Sequence, residues 1–479
     1  MFSSLHEECG VFGIFGTRTA DVATLVYFGL HALQHRGQEA CGIAVNSDGV
    51  FSHYKGDGLV SEVFTPERLE RLGSGNMALG HVRYSTTGGR DINNIQPLVI
   101  RHIKGNLALA HNGNLTNSAE IRKKIELSGG IFHGSSDTEA IAYSLVSDRL
   151  TTTDMSGAVE KTMSTIKGAY SCIVMTATNM IAFRDPNGFR PLCVGKTADG
   201  SWVAASETCA LDAVGADYVR DIRPGEIVVF SKDGVQSITS HCREKEKSSL
   251  CVFEYIYFAR PDSVIDGVSV HHARINAGKF LAREHPVDAD IVIGVPDSGI
   301  DAALGYAQES GIPYGVGFIK NKYTGRSFIQ PSQKQRENTV KLKLNAIKES
   351  VSGKRVVMVD DSIVRGTTCA GIIRLLRNAG AKEVHLRISS PPFRHPCYFG
   401  TDIDSEENLI ACKYGSGEEI AKVVGADSLG YLSIEATHKI AEGADVCFCD
   451  GCFTGAYPVP VPENTAKNKF DMKMGNYTE

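Results

Sequence analysis

Two short apolar runs in the second half of the chain each lead into a turn of small and acidic residues. They are DIVIGVPDSG, residues 290–299, and RVVMVDDSIVRGTT, residues 355–368. An uninterrupted apolar run such as residues 356–359 is typical of a strand that is covered on both faces in a parallel sheet. A predicted helix follows each turn. It begins near Ile300 in the first case and at residues 366–368 in the second. The pattern therefore predicts an α/β domain with a mainly parallel sheet.

The first half of the chain has a different pattern. Residues 7–16, EECGVFGIFG, alternate small and apolar positions as a strand does, and residues 185–230 are rich in strand and turn signals. Residues 231–249 are polar, charged and short of large apolar side chains, which is typical of an exposed junction. We therefore predict a first domain over residues 9–240 and a second over residues 250–458. A polar tail, residues 459–479, follows.

Composition narrows the class of protein. The chain has 479 residues, enough for two to three domains, and its net charge of −5 and charged fraction of 22% are those of an ordinary globular protein. No nucleic-acid partner is indicated, and no run of eighteen apolar residues predicts a membrane span. The first eight residues, MFSSLHEE, lack the basic and apolar regions of a secretory signal, so we expect a cytoplasmic protein. The thirteen cysteines are scattered without a disulfide framework.

The turn after residue 359 combines two kinds of chemistry. Gly366, Thr367 and Thr368 open a predicted helix, whose unpaired N–H groups and dipole favour phosphate. The adjacent carboxylates of Asp360 and Asp361 can hold sugar hydroxyls or a hard cation such as Mg²⁺. A sugar phosphate satisfies both halves, although acidic residues before a helix also serve simply as caps.

The wording DDSIVRGTT, residues 360–368, closely resembles the phosphoribosyl-pyrophosphate (PRPP) signature of type I phosphoribosyltransferases, in the form found in amidophosphoribosyltransferases. In that family the VPDSG loop, residues 295–299, takes the pyrophosphate. The resemblance implies Mg²⁺ held by Ser298, Asp360 and Asp361. The PRPP-binding residues that it implies are Asp297, Ser298, Gly299, Asp360, Asp361, Ser362, Arg365, Gly366, Thr367 and Thr368.

A second activity is indicated near the N-terminus. Cys9 alone is as consistent with a buried strand cysteine, because free cysteine behaves as a small hydrophobe. However, LQHRG (residues 33–37), GHVRYSTT (80–87), AHNGNLT (110–116) and SDTE (136–139) occur in the order and wording of class II glutamine amidotransferases. The resemblance implies an α+β N-terminal-nucleophile hydrolase fold, in which stacked antiparallel sheets lie between helices.

The same resemblance implies roles for individual residues. Residues 1–8 are a propeptide whose removal leaves the thiol and the α-amine on Cys9, so that the amine can act as the base for its own nucleophile. Asn112 and the Gly113 N–H surround the oxyanion. Arg83 pairs with the glutamine α-carboxylate, and Asp137 pairs with the α-ammonium. No role is assigned to the histidines of these motifs, His35, His81 and His111.

Two further segments carry open alternatives. Residues 320–343 are basic, which is typical of a solvated surface or a nucleic-acid patch, but NKYTGRSFIQPSQ resembles the mobile loop of the family and implies a lid over PRPP. Residues 251–263, CVFEYIYFARPDS, read as an aromatic-rich strand that resembles the same family. Its FEYIYF portion is either the lining of an ammonia passage or a plain core strand.

Cys449 and Cys452 have the spacing of a metal or iron–sulfur site, of a zinc half-site or of a chance pair. Amidophosphoribosyltransferases that carry both a propeptide and a [4Fe–4S] cluster have ligands at positions that match Cys251, Cys397, Cys449 and Cys452. Cys447 is a possible substitute for Cys449. The resemblance therefore implies a cluster that acts as a structural clamp.

Together the resemblances cover the chain from Cys9 to about Pro458. They imply a glutamine-dependent amidophosphoribosyltransferase of purine (IMP) biosynthesis, with glutamine and PRPP as substrates, and a homotetramer that purine nucleotides inhibit. A non-catalytic PRPP-sensing regulator would retain the PRPP motif without the Cys9 constellation. An iron–sulfur sensor would not need two phosphate loops.

Overall fold

The computed structural model describes residues 9–84, 91–321, 344–401, 403 and 405–462. The predicted propeptide, residues 322–343 of the predicted lid and residues 463–479 of the predicted tail lie outside this part of the chain. The described chain divides into two compact units. The N-terminal unit comprises residues 9–251, 398–401 and 457–462, and the C-terminal unit comprises most of residues 252–397 and 403–456. The predicted domain boundaries stay predictions.

The N-terminal unit is built from thirteen strands of two large sheets, with helices outside them. Its strands are β1 (Gly10–Ala20), β2 (Ala40–Ser47), β3 (Val50–Asp57), β4 (Gly75–Arg83), β5 (Leu98–His102), β6 (Gly105–Leu115), β7 (Gly168–Thr176), β8 (Met180–Arg184), β9 (Cys193–Thr197), β10 (Trp202–Ala205), β11 (Ala216–Asp221), β12 (Ile227–Ser231) and β13 (Gly234–Ile238), followed by the short β14 (Leu250–Cys251). Its helices are α1 (Val22–Ala32), α2 (Val60–Val63), α3 (Pro66–Leu72), α4 (Ser118–Leu127), α5 (Asp137–Arg149), α6 (Met155–Met163) and α7 (Thr208–Ala213), with single 3₁₀ turns at Ile92–Asn94 and Lys245–Lys247.

Both large sheets are antiparallel. The first has the strand order β11-β9-β10-β1-β4-β2-β3, and the second has the order β13-β12-β8-β7-β6-β5. Side chains alternate across β1, because successive residues of a strand point to opposite faces. Phe12 and Ile14 pack with residues of α1, whereas Val11 and Phe15 pack with residues of the second sheet.

The outer face of the second sheet is covered by α5 and α6, whose buried residues include Ile141, Leu145 and Val159. The layers are therefore helix, sheet, sheet and helix, as the N-terminal-nucleophile resemblance implies.

The C-terminal unit is an α/β structure. Its strands are β15 (Val264–Ile265), β16 (Val268–Ser269), β17 (Ile291–Gly294), β18 (Phe318–Lys320), β19 (Leu344–Ala346), β20 (Arg355–Asp360), β21 (Glu383–Ile388), β22 (Ser428–Tyr431) and β23 (Phe448–Cys449). Its helices are α8 (Val270–Glu284), α9 (Gly299–Ser310), α10 (Lys348–Val351), α11 (Thr367–Asn378), α12 (Ile410–Lys413), α13 (Gly417–Val424), α14 (Ile434–Thr437) and α15 (Gly451–Thr454), with a 3₁₀ turn at Glu406–Asn408.

The central sheet of this unit has the order β17-β20-β21-β22 and is parallel throughout. Strands β17, β20 and β21 are almost entirely buried, which explains the apolar runs of the sequence. Helices α8 and α9 pack closely, since a Cβ on Gly278 would lie 1.9 Å from the Ala302 carbonyl oxygen. The predicted fold class is confirmed in both halves of the chain.

One local prediction is wrong. The aromatic segment was expected to be a strand, but Glu254–Phe258 form a single π-helical turn. Its carbonyls are held from outside by Arg274 of α8, which is buried and donates to the carbonyl oxygens of Tyr255, Tyr257 and Ala259 at 2.7 to 3.0 Å. The tertiary bonds of this arginine compete with strand pairing, and neither periodicity nor propensity reveals them.

No helix in the described ranges is long and apolar enough to cross a bilayer.

Candidate active sites

Cys9 lies at the head of β1, in the middle of the first sheet. Its thiol is 3.6 Å from the Tyr84 carbonyl oxygen, and its own carbonyl accepts a hydrogen bond of 3.0 Å from Nε of Arg36. Arg36 reaches this position from the turn after α1. That turn runs so close to β4 that a Cβ on Gly37 would lie 2.6 Å from the Arg83 amide nitrogen. The glycine of the LQHRG motif is therefore a steric requirement of the site.

A buried ion pair lies beneath Cys9. Nη1 of Arg36 is 2.6 Å from Oε1 of Glu207, and neither side chain is exposed. Nε2 of His35 is 2.8 Å from the same oxygen. Burial opposes ionisation of Glu207, but His35 and Arg36 outweigh it and hold the pKa of this carboxyl below its usual value. Arg36 belongs to the LQHRG motif, but the sequence predicts no role for it or for Glu207, because their pairing joins positions 171 residues apart.

The other predicted residues of this site come from three elements. Arg83 ends β4, Asn112 and Gly113 lie in β6, and Asp137 begins α5. Cys9, Arg83, Gly113 and Asp137 line one small cavity of about 20 Å³, which is room for about one water molecule. Glutamine therefore needs a wider opening than these residues leave.

Two features of β6 fit an oxyanion site. Gly113 has φ of 143°, and a Cβ there would lie 2.2 Å from the Ala169 carbonyl oxygen, so only glycine fits. Nδ2 of Asn112 is buried and has no hydrogen-bond partner among the described residues. A buried unpaired donor is costly, and a function in the reaction is one explanation for it.

Asp137 and the motif histidines are held by hydrogen bonds. Oδ2 of Asp137 accepts from the Leu115 amide at 2.9 Å. His111 contacts Thr138 and the Ala169 carbonyl through its two ring nitrogens, and Nε2 of His81 contacts the His111 carbonyl. Burial, together with the nearby charge of Arg83, lowers the pKa of His81 to about 3, so this ring is neutral.

The second candidate site lies at the carboxyl edge of the parallel sheet. Strands β17 and β20 pair directly, with Gly294 opposite Val359, so the loops that follow them are neighbours. A Cβ on Gly299 would lie 2.5 Å from the Val359 carbonyl oxygen, which makes glycine necessary where the loops touch. Ser298 donates a hydrogen bond to Oδ2 of Asp361, and this contact joins the two motifs predicted from the sequence.

A cavity of about 240 Å³ opens at this edge. The predicted PRPP residues that line it are Ser298, Asp360, Asp361, Ser362, Arg365, Gly366 and Thr368. The other three do not line it: Gly299 and Thr367 begin α9 and α11, and Asp297 pairs with Lys320. Lys320, the first residue of the predicted lid, and Tyr257, from the FEYIYF segment, also line the cavity.

The electrostatics of this cavity suit an anion together with a cation or hydroxyl groups. Burial raises the pKa of both Asp360 and Asp361, and the adjacent charge of Asp361 raises that of Asp360 further. At the start of α11, Gly366 has φ of 82°, and Oγ1 of Thr368 is buried with no partner in the described chain. The acidic turn and the helix N-terminus therefore offer acceptors and donors side by side.

Three of the four predicted cluster cysteines lie in short segments of the C-terminal unit. Cys449 ends β23, and Cys452 lies in α15. The Cys452 carbonyl accepts hydrogen bonds from the amides of residues 394–395 at 3.0 and 3.1 Å, which brings the segment that contains Cys397 alongside.

The fourth, Cys251, immediately precedes Val252, whose amide donates to the Cys449 carbonyl at 3.2 Å.

Comparison with known proteins agrees with the division into two activities. Residues 81–213 match the glutamine amidotransferase domain family, and residues 269–390 match the phosphoribosyl transferase domain family. Fold and sites thus define an enzyme of the class that joins a glutamine amidotransferase domain to a phosphoribosyltransferase domain. The amidophosphoribosyltransferase of Bacillus subtilis is 50% identical over 467 residues, 96% of each chain, and that of Methanocaldococcus jannaschii is 49% identical over 95% of this chain and 98% of its own. The chain belongs to the amidophosphoribosyltransferase family.

Solved structures give the same result. One is described as the allosteric regulatory enzyme of purine biosynthesis, with a TM-score of 0.89, 48% identity and coverage of 96% of this chain and 98% of its own. The other is the glutamine PRPP amidotransferase of B. subtilis complexed with ADP and GMP, with a TM-score of 0.88, 48% identity and coverage of 96% and 99%.

Proposed function

We propose that the protein makes 5-phosphoribosylamine, pyrophosphate and glutamate from glutamine, PRPP and water, the first committed step of purine biosynthesis. The observation that carries this proposal is the presence of two separate sets of reactive groups, at Cys9 and at the edge of the parallel sheet, in a chain that matches amidophosphoribosyltransferases over nearly its whole length. A PRPP-sensing regulator would not need the reactive groups at Cys9. An iron–sulfur sensor would need neither these groups nor those at the edge of the parallel sheet.

The first half-reaction takes place at Cys9. After residues 1–8 are removed, the free α-amine takes the thiol proton, and the sulfur attacks the side-chain amide carbon of glutamine. Asn112 and the Gly113 N–H donate to the oxyanion, while Arg83 and Asp137 hold the α-carboxylate and the α-ammonium. The C–N bond then breaks, ammonia leaves with the proton, and water hydrolyses the glutamyl thioester to glutamate.

The second half-reaction takes place in the cavity beside β17 and β20. Thr368, the other donors at the start of α11 and the VPDSG loop bind the phosphate groups of PRPP. Ammonia attacks the anomeric carbon, the bond to pyrophosphate breaks, and a proton is lost from the new amine. Exclusion of water matters because water competes at the same carbon and because protonated ammonia is not nucleophilic. For this reason the predicted lid, residues 320–343, is part of the proposal.

Asp360, Asp361 and Ser298 would hold Mg²⁺. Their oxygens are the ligands that Mg²⁺ prefers, and burial raises the pKa of both carboxyl groups, an effect that a bound cation would counteract. The ion would stabilise the departing pyrophosphate.

Cys251, Cys397, Cys449 and Cys452 would hold a [4Fe–4S] cluster, because thiolates are the ligands that such clusters use. Its proposed function is to clamp the C-terminal segment. The proposal also includes a homotetramer in the cytoplasm that purine nucleotides inhibit. The nucleotide part is supported by the ADP and GMP in the B. subtilis structure.

Formation of pyrophosphate and glutamate by the matured protein tests the function. With glutamine and PRPP together we expect the two products in equal amounts. If PRPP yields no pyrophosphate with either glutamine or ammonia, the proposed function is wrong. Mass spectrometry of the N-terminus tests the propeptide, because a mature chain that retains residues 1–8 leaves Cys9 without its amine base.

A further inference from the structure

Ser136 occupies the N-cap position of α5 but does not cap the helix. A serine in this position usually accepts a hydrogen bond from an amide in the first turn. Ser269, Ser416 and Ser433 do so in this chain, each accepting from the amide three residues further on at 3.1 to 3.4 Å. Ser136 makes no such bond. Its hydroxyl is therefore not used to stabilise the helix.

The Ser136 hydroxyl is also buried and unpaired. Ser136 is 5% exposed, and its Oγ has no hydrogen-bond partner within the described ranges. The backbone of the residue is nevertheless fixed, because its amide donates to Oδ1 of Asn94 at 3.0 Å and its carbonyl accepts from Arg122 at 3.4 Å. A fixed polar group that remains unpaired in the interior is costly unless a ligand pairs with it.

The hydroxyl lies at the site of the first half-reaction. Ser136 lines the same small cavity as Cys9, Arg83 and Asp137. Three other polar side chains of that cavity are already paired, since Oγ1 of Thr138 contacts Nε2 of Gln96 at 3.0 Å and Nδ1 of His111 at 3.2 Å.

The α-ammonium group of glutamine needs hydrogen-bond acceptors in this cavity. Its α-ammonium has three N–H donors, and a charged group of this kind must be fully hydrogen-bonded when it is taken out of water. Asp137 is the predicted partner, but its Oδ2 already accepts from the Leu115 amide. The three N–H donors of an ammonium group point in different directions, so one carboxylate does not pair with all of them, and the residue adjacent to Asp137 carries an unpaired oxygen.

We propose that Oγ of Ser136 accepts a hydrogen bond from the α-ammonium of glutamine, next to Asp137, and so helps the site to select a free amino acid. This inference rests on the proposed function and assigns one further specificity-determining residue to it. The hydroxyl stays unpaired until glutamine enters, which explains why the helix lacks its cap.

The test is Ser136→Ala in the matured full-length protein. We expect the KM for glutamine to rise about tenfold or more, the scale of a hydrogen bond to a charged group, with kcat little changed. Ammonia-supported pyrophosphate release should be unchanged. Glutaramic acid, which is glutamine without its amino group, should inhibit the variant and the unaltered protein equally. An unchanged KM for glutamine, or an equal loss of affinity for glutaramic acid, would overturn the inference.

A matched control separates substrate binding from helix capping. Ser416→Ala removes a real N-cap bond and should lower the Tm, whereas Ser136→Ala should not. A fall in Tm for Ser136→Ala as large as that for Ser416→Ala would mean that the hydroxyl is structural. The proposed function and the role of Ser136 are contradicted by different results. An unaltered protein that uses no glutamine contradicts the proposed function. Normal glutamine use by Ser136→Ala contradicts only the role of Ser136.

Discussion

Replacing Asn112 with alanine should slow glutamine hydrolysis without unfolding the protein. Asn112 is 1% exposed, and its Nδ2 has no partner in the described structure, so the substitution breaks no bond of that nitrogen in the resting state. An unpaired buried donor costs about 1–3 kcal/mol, and its removal offsets much of the packing that is lost. We therefore expect the free energy of unfolding to change by no more than about 1–2 kcal/mol.

The kinetic effect should be larger. If Nδ2 of Asn112 donates to the oxyanion only in the transition state, its loss should lower kcat for glutamine about 10²- to 10³-fold, which corresponds to about 2.7–4 kcal/mol. The KM for glutamine should change little, because Arg83 and Asp137 are untouched. Initial rates of glutamate formation and of ammonia-supported pyrophosphate release measure the two half-reactions separately.

Asn106→Ala is a matched control. Asn106 lies in the same strand, but its Nδ2 is already paired, because it donates to the Gly49 carbonyl at 3.0 Å. This variant should keep its kcat. Asn112 does not stabilise the oxyanion if kcat for glutamine falls by less than about tenfold, or if the ammonia-supported rate falls equally.

Three further predictions concern other parts of the two sites. Glu207→Gln should lower the free energy of unfolding by about 3 kcal/mol or more at pH 7, because it leaves the buried Arg36 without its counter-charge. The pKa of Glu207 is held below its usual value, so the unaltered protein has its full extra free energy of unfolding above about pH 4.3. This difference from the variant should shrink as the pH falls further, and urea unfolding of both proteins at several pH values measures it. Gly366→Ala should lower the free energy of unfolding by about 1–2 kcal/mol, because a φ of 82° is unfavourable for alanine and its Cβ would lie 2.4 Å from Cδ1 of Ile410. Calorimetry should show this loss of stability, and the affinity for PRPP should fall as well. Added Mg²⁺ should raise the Tm, since a bound cation offsets the like charges of the adjacent Asp360 and Asp361, and Asp361→Asn should abolish this response. A Tm that does not respond to Mg²⁺ in the unaltered protein contradicts the metal site.

The sequence predicts the local parts of this fold well. The apolar run at residues 356–359 is strand β20, and Gly366 immediately precedes α11 with a positive φ. These features depend on short-range rules of burial, helix termination and backbone conformation, which neighbouring residues specify. The pairing of β17 with β20 follows from the same rules, because parallel strands bring their loops to one edge.

What the sequence misses depends on long-range contacts. The aromatic segment at residues 254–258 has strand-like composition, but the bonds from Arg274 hold it as a π-helical turn. The pairing of Arg36 with Glu207 likewise joins distant motifs beneath Cys9. In each case a buried charged side chain contacts residues of another part of the chain, and hydrophobic periodicity does not predict which residues these are.

The missing N-cap bond of Ser136 is a different case. The residue type predicts a cap, and only the geometry shows that the hydroxyl is unused.

The measurement that tests the central claim most directly is the activity of Cys9→Ala with each nitrogen source. Pyrophosphate release from PRPP is followed with glutamine and then with ammonia, in the variant and in the unaltered protein. Two active sites with separate chemistry predict that glutamine-supported release is abolished and that ammonia-supported release is retained. Equal loss of both activities, or retention of glutamine use, would contradict the two-site account.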